Sequence, residues 1–173
     1  KLVLAKVTYL RELADAAQLV APAVAASSKL NELTNLVPDL LAEGHKILIF
    51  SQWERMTHLA ADALLLRGIP SLRLHGGVGQ QARAELVRRF MEEPEARVFI
   101  STDAGGLGLN LQAASYVINL DLPWNPARLE QRIARAHRMG QEQTVNVINI
   151  VATDTIENRV LDVLYTKQAL FTE

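Results

Sequence analysis

From residue 46 onward, short apolar runs alternate with amphipathic helical segments, and this alternation restricts the possible folds more than any other feature. Several runs are apolar at nearly every position, which is typical of strands buried on both faces of a parallel sheet. The runs are KILIF (46–50), SLRLH (71–75), RVFIS (97–101), YVINLD (116–121) and VNVINIV (145–151). Repeated β–α units of this kind predict an α/β fold in which helices cover both faces of a mainly parallel sheet.

Helical periodicity predicts connecting helices at about 54–67, 79–92, 126–138 and 154–171. Two more helices are predicted ahead of the first strand, at about 2–20 and 29–43. We expect Ser28 to cap the second of these and Gly44 to follow its end. The small-residue stretch after Pro22 is typical of a linker. We therefore divide the chain into a helical lead-in and linker (1–27) and one α/β domain (28–173).

Composition limits the chemistry. Hydrophobic residues make up 49% of the chain and charged residues 21%, with a formal net charge of −1. A uniformly basic nucleic-acid binder would differ, so any such contact must come from a local patch. The chain has no cysteine, its four histidines lack metal-ligand spacing, and no apolar run is long enough to cross a bilayer. We expect no metal ligands and no membrane partner.

Unusual residues cluster just after the first four predicted strands. These loops are Ser51-Gln52-Trp53, His75-Gly76-Gly77, the segment STDAGGLGLN (101–110) and the segment DLPWNP (121–126). Carboxyl ends of parallel strands meet at one edge of a sheet, where α/β proteins bind their ligands. We therefore expect all four loops to lie on one rim and to form a site there.

The helix predicted at 126–138 has two chemically different faces. At roughly 100° per residue, its polar face spans an arc of about 80°. That face carries Arg128, Gln131, Arg135 and Arg138. The opposite face carries Leu129, Ile133 and Ala136, which we expect to pack on the sheet. Arginine forks suit bidentate contacts with phosphate, although a solvated basic face is the alternative.

The glycine-rich segment 101–110 has three glycines in four positions. Such a loop permits positive φ or a close approach of backbone N–H groups to phosphate, although it also fits a tight strand-to-helix turn. The chain contains no G-x-x-x-x-G-K-[ST] phosphate-binding loop. Asp103 and Asp121 stand at strand ends without an evident partner, and no complete hydrolase site is visible.

Five segments in register resemble the second lobe of superfamily 2 helicases, specifically the Swi/Snf family of DNA translocases. KILIFSQW resembles motif IV, and LHGGVGQQARAELVRRF resembles the segment that follows it in the family. STDAGGLGLNLQAA resembles motif V, and DLPWNPARLEQRIARAHRMGQ resembles motif VI with its preceding Trp-Asn-Pro element. VNVINIVATDTIENRVL resembles the tail of the domain. The resemblance covers about residues 28–165 and implies a RecA-like three-layer αβα sandwich.

The resemblance implies one half of an ATPase site. In this family ATP and Mg²⁺ bind between two RecA-like lobes, and the first lobe carries the phosphate-binding loop and most of the metal site. The second lobe supplies arginine fingers, which would be Arg135 and Arg138 here. Gly106, Gly108, Asn110 and Gln131 match positions near the nucleotide. Residues 1–173 alone would then be inactive, because they lack the phosphate-binding loop.

The resemblance also implies double-stranded DNA as a partner, together with the first lobe of the same protein. The positions matching the family's DNA-backbone contacts are Ser51, Gln52, Gly76, Arg83, Thr102 and Trp124. A non-catalytic module that binds nucleotide or nucleic acid is the alternative. Asp103 stands where arginine is frequent in the chromatin-remodelling branch, and Ala134 departs from the usual residue of motif VI. These departures favour a bacterial or archaeal source, hence a cytoplasmic, nucleoid-associated protein; a eukaryotic source would imply the nucleus.

Overall fold

A computed structural model describes residues 2–21, 27–105, 108–137 and 144–171 of the chain. The helices are α1 (Leu2–Asp15), α2 (Ser28–Ala42), α3 (Glu54–Leu65), α4 (Gln80–Glu92), α5 (Pro126–Ala136) and α6 (Ile156–Phe171). The strands are β1 (Ile47–Ser51), β2 (Leu72–Leu74), β3 (Val98–Thr102), β4 (Tyr116–Asn119) and β5 (Asn146–Asn149). None of the described helices has both the length and the apolar character needed to cross a membrane.

The strands form one five-stranded sheet in the order β2-β3-β1-β4-β5, and every pair is parallel. All five predicted strands are present, and the predicted α/β fold with a parallel sheet is confirmed. The first strand in sequence, β1, lies in the centre between β3 and β4. The loops that follow these three neighbouring strands therefore lie side by side.

The two faces of the sheet bury two separate apolar layers because alternate residues of a strand point to opposite faces. Ile47 and Ile49 pack with residues of α2 and α3, such as Val37 and Met56. On the other face, strand residues pack with α4 and with the segment before β4, and the buried side chains there include Leu48, Phe50, Phe90, Leu111 and Ala114. These layers on both sides give the predicted three-layer αβα arrangement.

The structure corrects two predicted helix boundaries near the N-terminus. The first helix ends at Asp15, and a short 3-10 turn follows at Ala17–Leu19. The cap of α2 is Ser27 rather than Ser28: its Oγ accepts a hydrogen bond from the N–H of Leu30 and donates one to the carbonyl of Asp15. Gly44 follows α2 with φ of 91°, as a C′ glycine requires.

A buried lysine joins three separated parts of the chain. Lys29 is 2% exposed, and its Nζ donates to Asp15 Oδ1 at 2.8 Å, Glu157 Oε1 at 2.6 Å and the carbonyl of Leu120 at 2.6 Å. An ammonium group with all three protons satisfied is compatible with burial, whereas an unpaired one is not. The cluster thus fastens α1 and the start of α6 to α2 and to the end of β4.

The carboxyl group of Asp15 shares this lysine with Glu157, and its other oxygen accepts a hydrogen bond from Trp53 Nε1 at 2.6 Å. Burial and, after it, the nearby Asp121 carboxylate together raise the pKa of Asp15 to about 8, although the Lys29 ammonium group acts to lower it. Asp15 therefore keeps its proton in the folded state across a pH range in which it loses that proton on unfolding.

This raised pKa predicts a pH-dependent cost that Asp15→Asn removes. As the pH rises from about 4 to about 8, the unfolded chain releases the Asp15 proton and the folded chain retains it, so the wild type loses stability. We expect Asp15→Asn to gain at least about 1.4 kcal/mol of unfolding free energy relative to wild type across this window, the equivalent of one pKa unit. Urea titrations at several pH values measure it, and a difference independent of pH would contradict the assignment.

Candidate functional site

The exits of β1 and β4 are joined by one buried carboxylate. Asp121 is fully enclosed, and it accepts a short hydrogen bond from the hydroxyl of Ser51. Both of its oxygens lie 3.1 Å from the backbone N–H of Gln52. A second contact, between His75 Nδ1 and Glu54 Oε1 at 3.2 Å, brings the β2 exit to the start of α3. The loops thus meet on one rim, as the sequence predicted.

Arg132, a residue the sequence analysis did not single out, lies at the centre of this rim. It is 2% exposed, and its guanidinium group donates to Asp103 Oδ1 at 2.6 Å and Asp103 Oδ2 at 3.1 Å. It also donates to Asp121 Oδ1 at 3.0 Å, to the carbonyl of Asp121 at 2.7 Å and to Asn119 Oδ1 at 3.1 Å. The expectation that Asp103 and Asp121 lack partners was therefore wrong.

Two opposing influences act on the charge of Arg132. Burial alone would lower its pKa, but the carboxylates of Asp121 and Asp103 outweigh burial and hold the pKa above its usual value. The sequence does contain a signal for the burial of Arg132, because on the helical wheel Arg132 lies about 40° from Ala136, at the edge of the apolar face. An arginine at that border has to be paired, because the face it belongs to is buried.

Three further polar residues of α5, Arg128, Gln131 and Arg135, line a pocket of about 230 Å³ beside this ion pair. Its walls are Phe50, Asp103, Ala104, Arg128, Gln131, Arg132 and Arg135. Arg132 is neutralised by its carboxylates, whereas Arg128 and Arg135 form no ion pair with any residue that the structure describes. The pocket therefore carries an excess of positive charge from arginine forks, which suits an anion with several oxygens.

The apolar side of α5 packs differently from the prediction. Ala136 does join the sheet layer, but Leu129 and Ile133 pack with Leu122 and with residues of α6, Val160 and Leu164. Most of this face therefore rests on α6 rather than on the sheet. The helix begins at Pro126 with Asn125 as its cap, and the Asn125 side chain accepts a hydrogen bond from the N–H of Ala127 at 3.1 Å.

The glycine-rich loop after β3 needs its glycines for two different reasons. A Cβ on Gly105 would lie 2.9 Å from the carbonyl oxygen of Leu74, so the close approach of the β2 exit excludes any side chain there. Gly108 has φ of 75°, in the left-handed region that favours glycine. Asn110 is exposed further along the loop, and neither Asn110 nor Gly108 lines the pocket formed by the described residues. Gly106 and Arg138 lie outside the described residues.

The predicted DNA-contact residues divide into two groups. Gly76 and Trp124 are exposed, and Gln52 and Arg83 are partly exposed. Ser51 and Thr102 are instead buried at 0% and 5% exposure. The Ser51 hydroxyl is engaged by Asp121, and Thr102 Oγ1 accepts a hydrogen bond from the N–H of Gly105 at 3.0 Å. In this structure both hydroxyls hold the loops in place, and their contact with DNA stays a prediction.

Residues 28–140 match the family described as the helicase conserved C-terminal domain, and the chain belongs to that family. It is 38% identical over 146 residues to the SNF2 domain-containing protein ENL1 of rice, and the aligned segment covers 84% of this chain and 15% of the rice protein. It is 41% identical over 140 residues to the chromatin-remodeling ATPase INO80 of Candida albicans, covering 80% of this chain and 10% of that protein. The predicted resemblance to Swi/Snf proteins is confirmed.

Solved structures agree with this assignment. The SWI2/SNF2 ATPase core of Sulfolobus solfataricus, solved in complex with double-stranded DNA, superposes with a TM-score of 0.84 at 26% identity, over 98% of this chain and 36% of that one. The C-terminal part of the Fun30 ATPase domain superposes with a TM-score of 0.75 at 31% identity, over 80% of this chain and 45% of that one. The chain thus spans a small part of its curated relatives. The two curated relatives, ENL1 and INO80, come from rice and a fungus, so they do not support the preference for a prokaryotic source.

Arg132 and Arg128 provide a matched test of this arrangement, because they lie on the same helix and only Arg132 is buried. Arg132→Leu leaves the enclosed carboxylate of Asp121 and the partly exposed one of Asp103 without their cation, and we expect a loss of about 3–5 kcal/mol of unfolding free energy. Arg128→Leu, at an exposed position, should change it by less than about 0.5 kcal/mol. Urea unfolding measures both, and similar values for the two variants would refute the central role of the Arg132 cluster.

Proposed function

We propose that this chain is the second motor lobe of an ATP-dependent double-stranded-DNA translocase of Swi/Snf type. The observation that carries the proposal is the pocket on α5, where Arg128, Gln131 and Arg135 face the exit of β3 beside the neutralised Arg132. Membership of the helicase C-terminal family and similarity to SNF2-type ATPases support the same function.

In this proposal Arg135 and Arg138 are the arginine fingers of an ATP hydrolase. Their guanidinium groups donate to the phosphoryl oxygens on which negative charge develops in the transition state, an effect worth roughly 10³–10⁵ in rate for arginine fingers. Gln131, on the same side of α5 as Arg135, orients the phosphate chain. We also propose that Gly106, Gly108 and Asn110 contact the nucleotide outside the pocket on α5, which neither Gly108 nor Asn110 lines.

The pocket suits the triphosphate and does not suit its metal ion. Both oxygens of Asp103 are engaged by Arg132, and the described residues contain no group of three carboxylates or histidines placed to hold a metal. We propose that Mg²⁺ and the triphosphate are held mainly by a first RecA-like lobe of the same protein. Residues 1–173 by themselves should therefore show negligible ATP turnover.

The DNA track in this proposal runs over the rim of the sheet. Gln52, Gly76, Arg83 and Trp124 supply its surface, and Ser51 and Thr102 shape the loops from below. Contacts with the phosphate backbone make translocation largely independent of base sequence. Action on DNA places the protein in the nucleus of a eukaryote or on the nucleoid of a prokaryote.

Arg135→Ala in the intact protein tests the finger assignment. We expect kcat for DNA-stimulated ATP hydrolysis to fall about 10³-fold or more, with ATP binding retained, because the first lobe holds the nucleotide. Arg88→Ala is the control, since Arg88 is an exposed arginine of α4 that pairs with Glu85, Glu92 and Glu93. Near-normal turnover of the Arg135 variant would remove the assignment and favour a non-catalytic binding module.

Arg83→Ala tests the DNA track. The loss of one phosphate contact should weaken duplex binding to a similar extent on unrelated sequences and reduce the slope of log K against log salt by about 1. Titrations of duplex DNA at several salt concentrations measure this slope. An unchanged slope would place Arg83 outside the DNA surface.

A further inference from the structure

Three cations hold three consecutive residues at the exit of β4. Lys29 Nζ donates to the carbonyl of Leu120 at 2.6 Å, and Arg132 binds both the carboxylate and the carbonyl of Asp121. Arg11 Nη2 donates to the carbonyl of Leu122 at 2.7 Å. These cations come from α2, α5 and α1, so a segment of three residues is fixed from three different helices.

Arg11 also lies beside two tryptophans, Trp53 at the start of α3 and Trp124 at the start of α5. Its guanidinium group lies 5.8 Å from the centre of the Trp124 ring and 6.0 Å from that of Trp53, within the range of cation–π attraction. Trp124 immediately precedes Asn125, the cap of α5. Although it belongs to the lead-in helix, Arg11 is 9% exposed. The Arg11 guanidinium group therefore binds the segment that leads into α5.

The C-terminal helix reaches the same place from the other side. Glu157 accepts a hydrogen bond from Lys29 Nζ, and Val160 and Leu164 pack under Leu122 and Leu129. The family match covers residues 28–140, so α1 lies before it and α6 lies after it. Two segments external to the family domain therefore converge on the peptide that connects β4 to α5.

We propose that Arg11 and Lys29 are positioning residues through which α1 and α6 set the placement of the arginine helix α5. A rigid connection follows from the chain itself: Leu122 is three residues before Asn125, and Arg132 ties α5 back to Asp121. A shift of α1 or α6 thus moves the start of α5 and, with it, Arg135. Segments that flank the lobe thereby act on the chemistry of its pocket. This inference rests on the proposed function only for its catalytic consequence.

Hydrogen exchange of the intact protein tests the positioning separately from catalysis. We expect Arg11→Ala to accelerate exchange of α5 amides about fivefold or more, while the central strands β1 and β3 keep their protection. Arg11→Lys, which retains a cation and a donor for the Leu122 carbonyl, should restore most of it. Arg55→Ala is the matched control. Like Arg11, Arg55 joins the lead-in to the α/β domain through a backbone carbonyl, since its Nη1 donates to the carbonyl of Leu19 at 3.1 Å, but this contact is not at the β4 exit.

Steady-state kinetics on the same variants provide the second readout. We expect Arg11→Ala to lower kcat about tenfold with KM for ATP nearly unchanged, as expected when only transition-state contacts are misplaced. Faster exchange in α1 with unchanged exchange in α5 would overturn the positioning role, whatever the kinetics. Faster exchange in α5 with normal kcat would support the positioning role and count against the arginine fingers. Lys29→Met gives an independent check from α2 and should accelerate α5 exchange in the same way.

Discussion

Asp121 stands at the end of β4 with its carboxylate enclosed, and the rim of the sheet is organised around its negative charge. A buried carboxylate needs a compensating cation and donors for its remaining lone pairs. Arg132 supplies the cation, and Ser51 and the N–H of Gln52 supply the donors. These partners come from α5 and from the end of β1 with the residue after it, and Asp103 completes the cluster from the loop after β3. One charge therefore sets the relative positions of the three elements that carry the candidate site.

The arginines of α5 divide into two roles because of this cluster. Arg132 lies on the buried border of the helix and is neutralised, so it contributes rigidity and little field to the pocket. Arg128 and Arg135 lie on the open side and retain their full charge toward the pocket, as far as the described residues extend. A preorganised cation needs little reorganisation when charge develops on a substrate. The pairing of Arg132 thus fixes α5 in place and leaves Arg135, on the next turn of the helix, as a positioned cation beside the pocket.

The sheet was predictable because strands buried on both faces leave continuous apolar runs, such as those at Ile47–Ser51 and Val98–Thr102. The rim was predictable because chain order and parallel pairing bring strand exits to one edge. The burial of Lys29 and Asp15 was not predictable, because in the local sequence each is an ordinary polar residue of a helix. Their burial depends on partners distant in the sequence, the farthest 128 residues from Lys29, and no local pattern encodes such a contact. The packing of Leu129 on α6 escaped prediction for the same reason.

Asp103 shows how a tertiary contact changes the meaning of a sequence departure. Taken alone, an aspartate where arginine is frequent in the chromatin-remodelling branch favours a bacterial or archaeal source for the chain. In the structure both of its oxygens bind Arg132. An arginine at position 103 would bring two guanidinium groups together beside a single carboxylate, Asp121, and burial would make that repulsion severe. The identities of residues 103 and 132 are therefore coupled by charge, so this departure reflects a local pairing and carries little information about the organism.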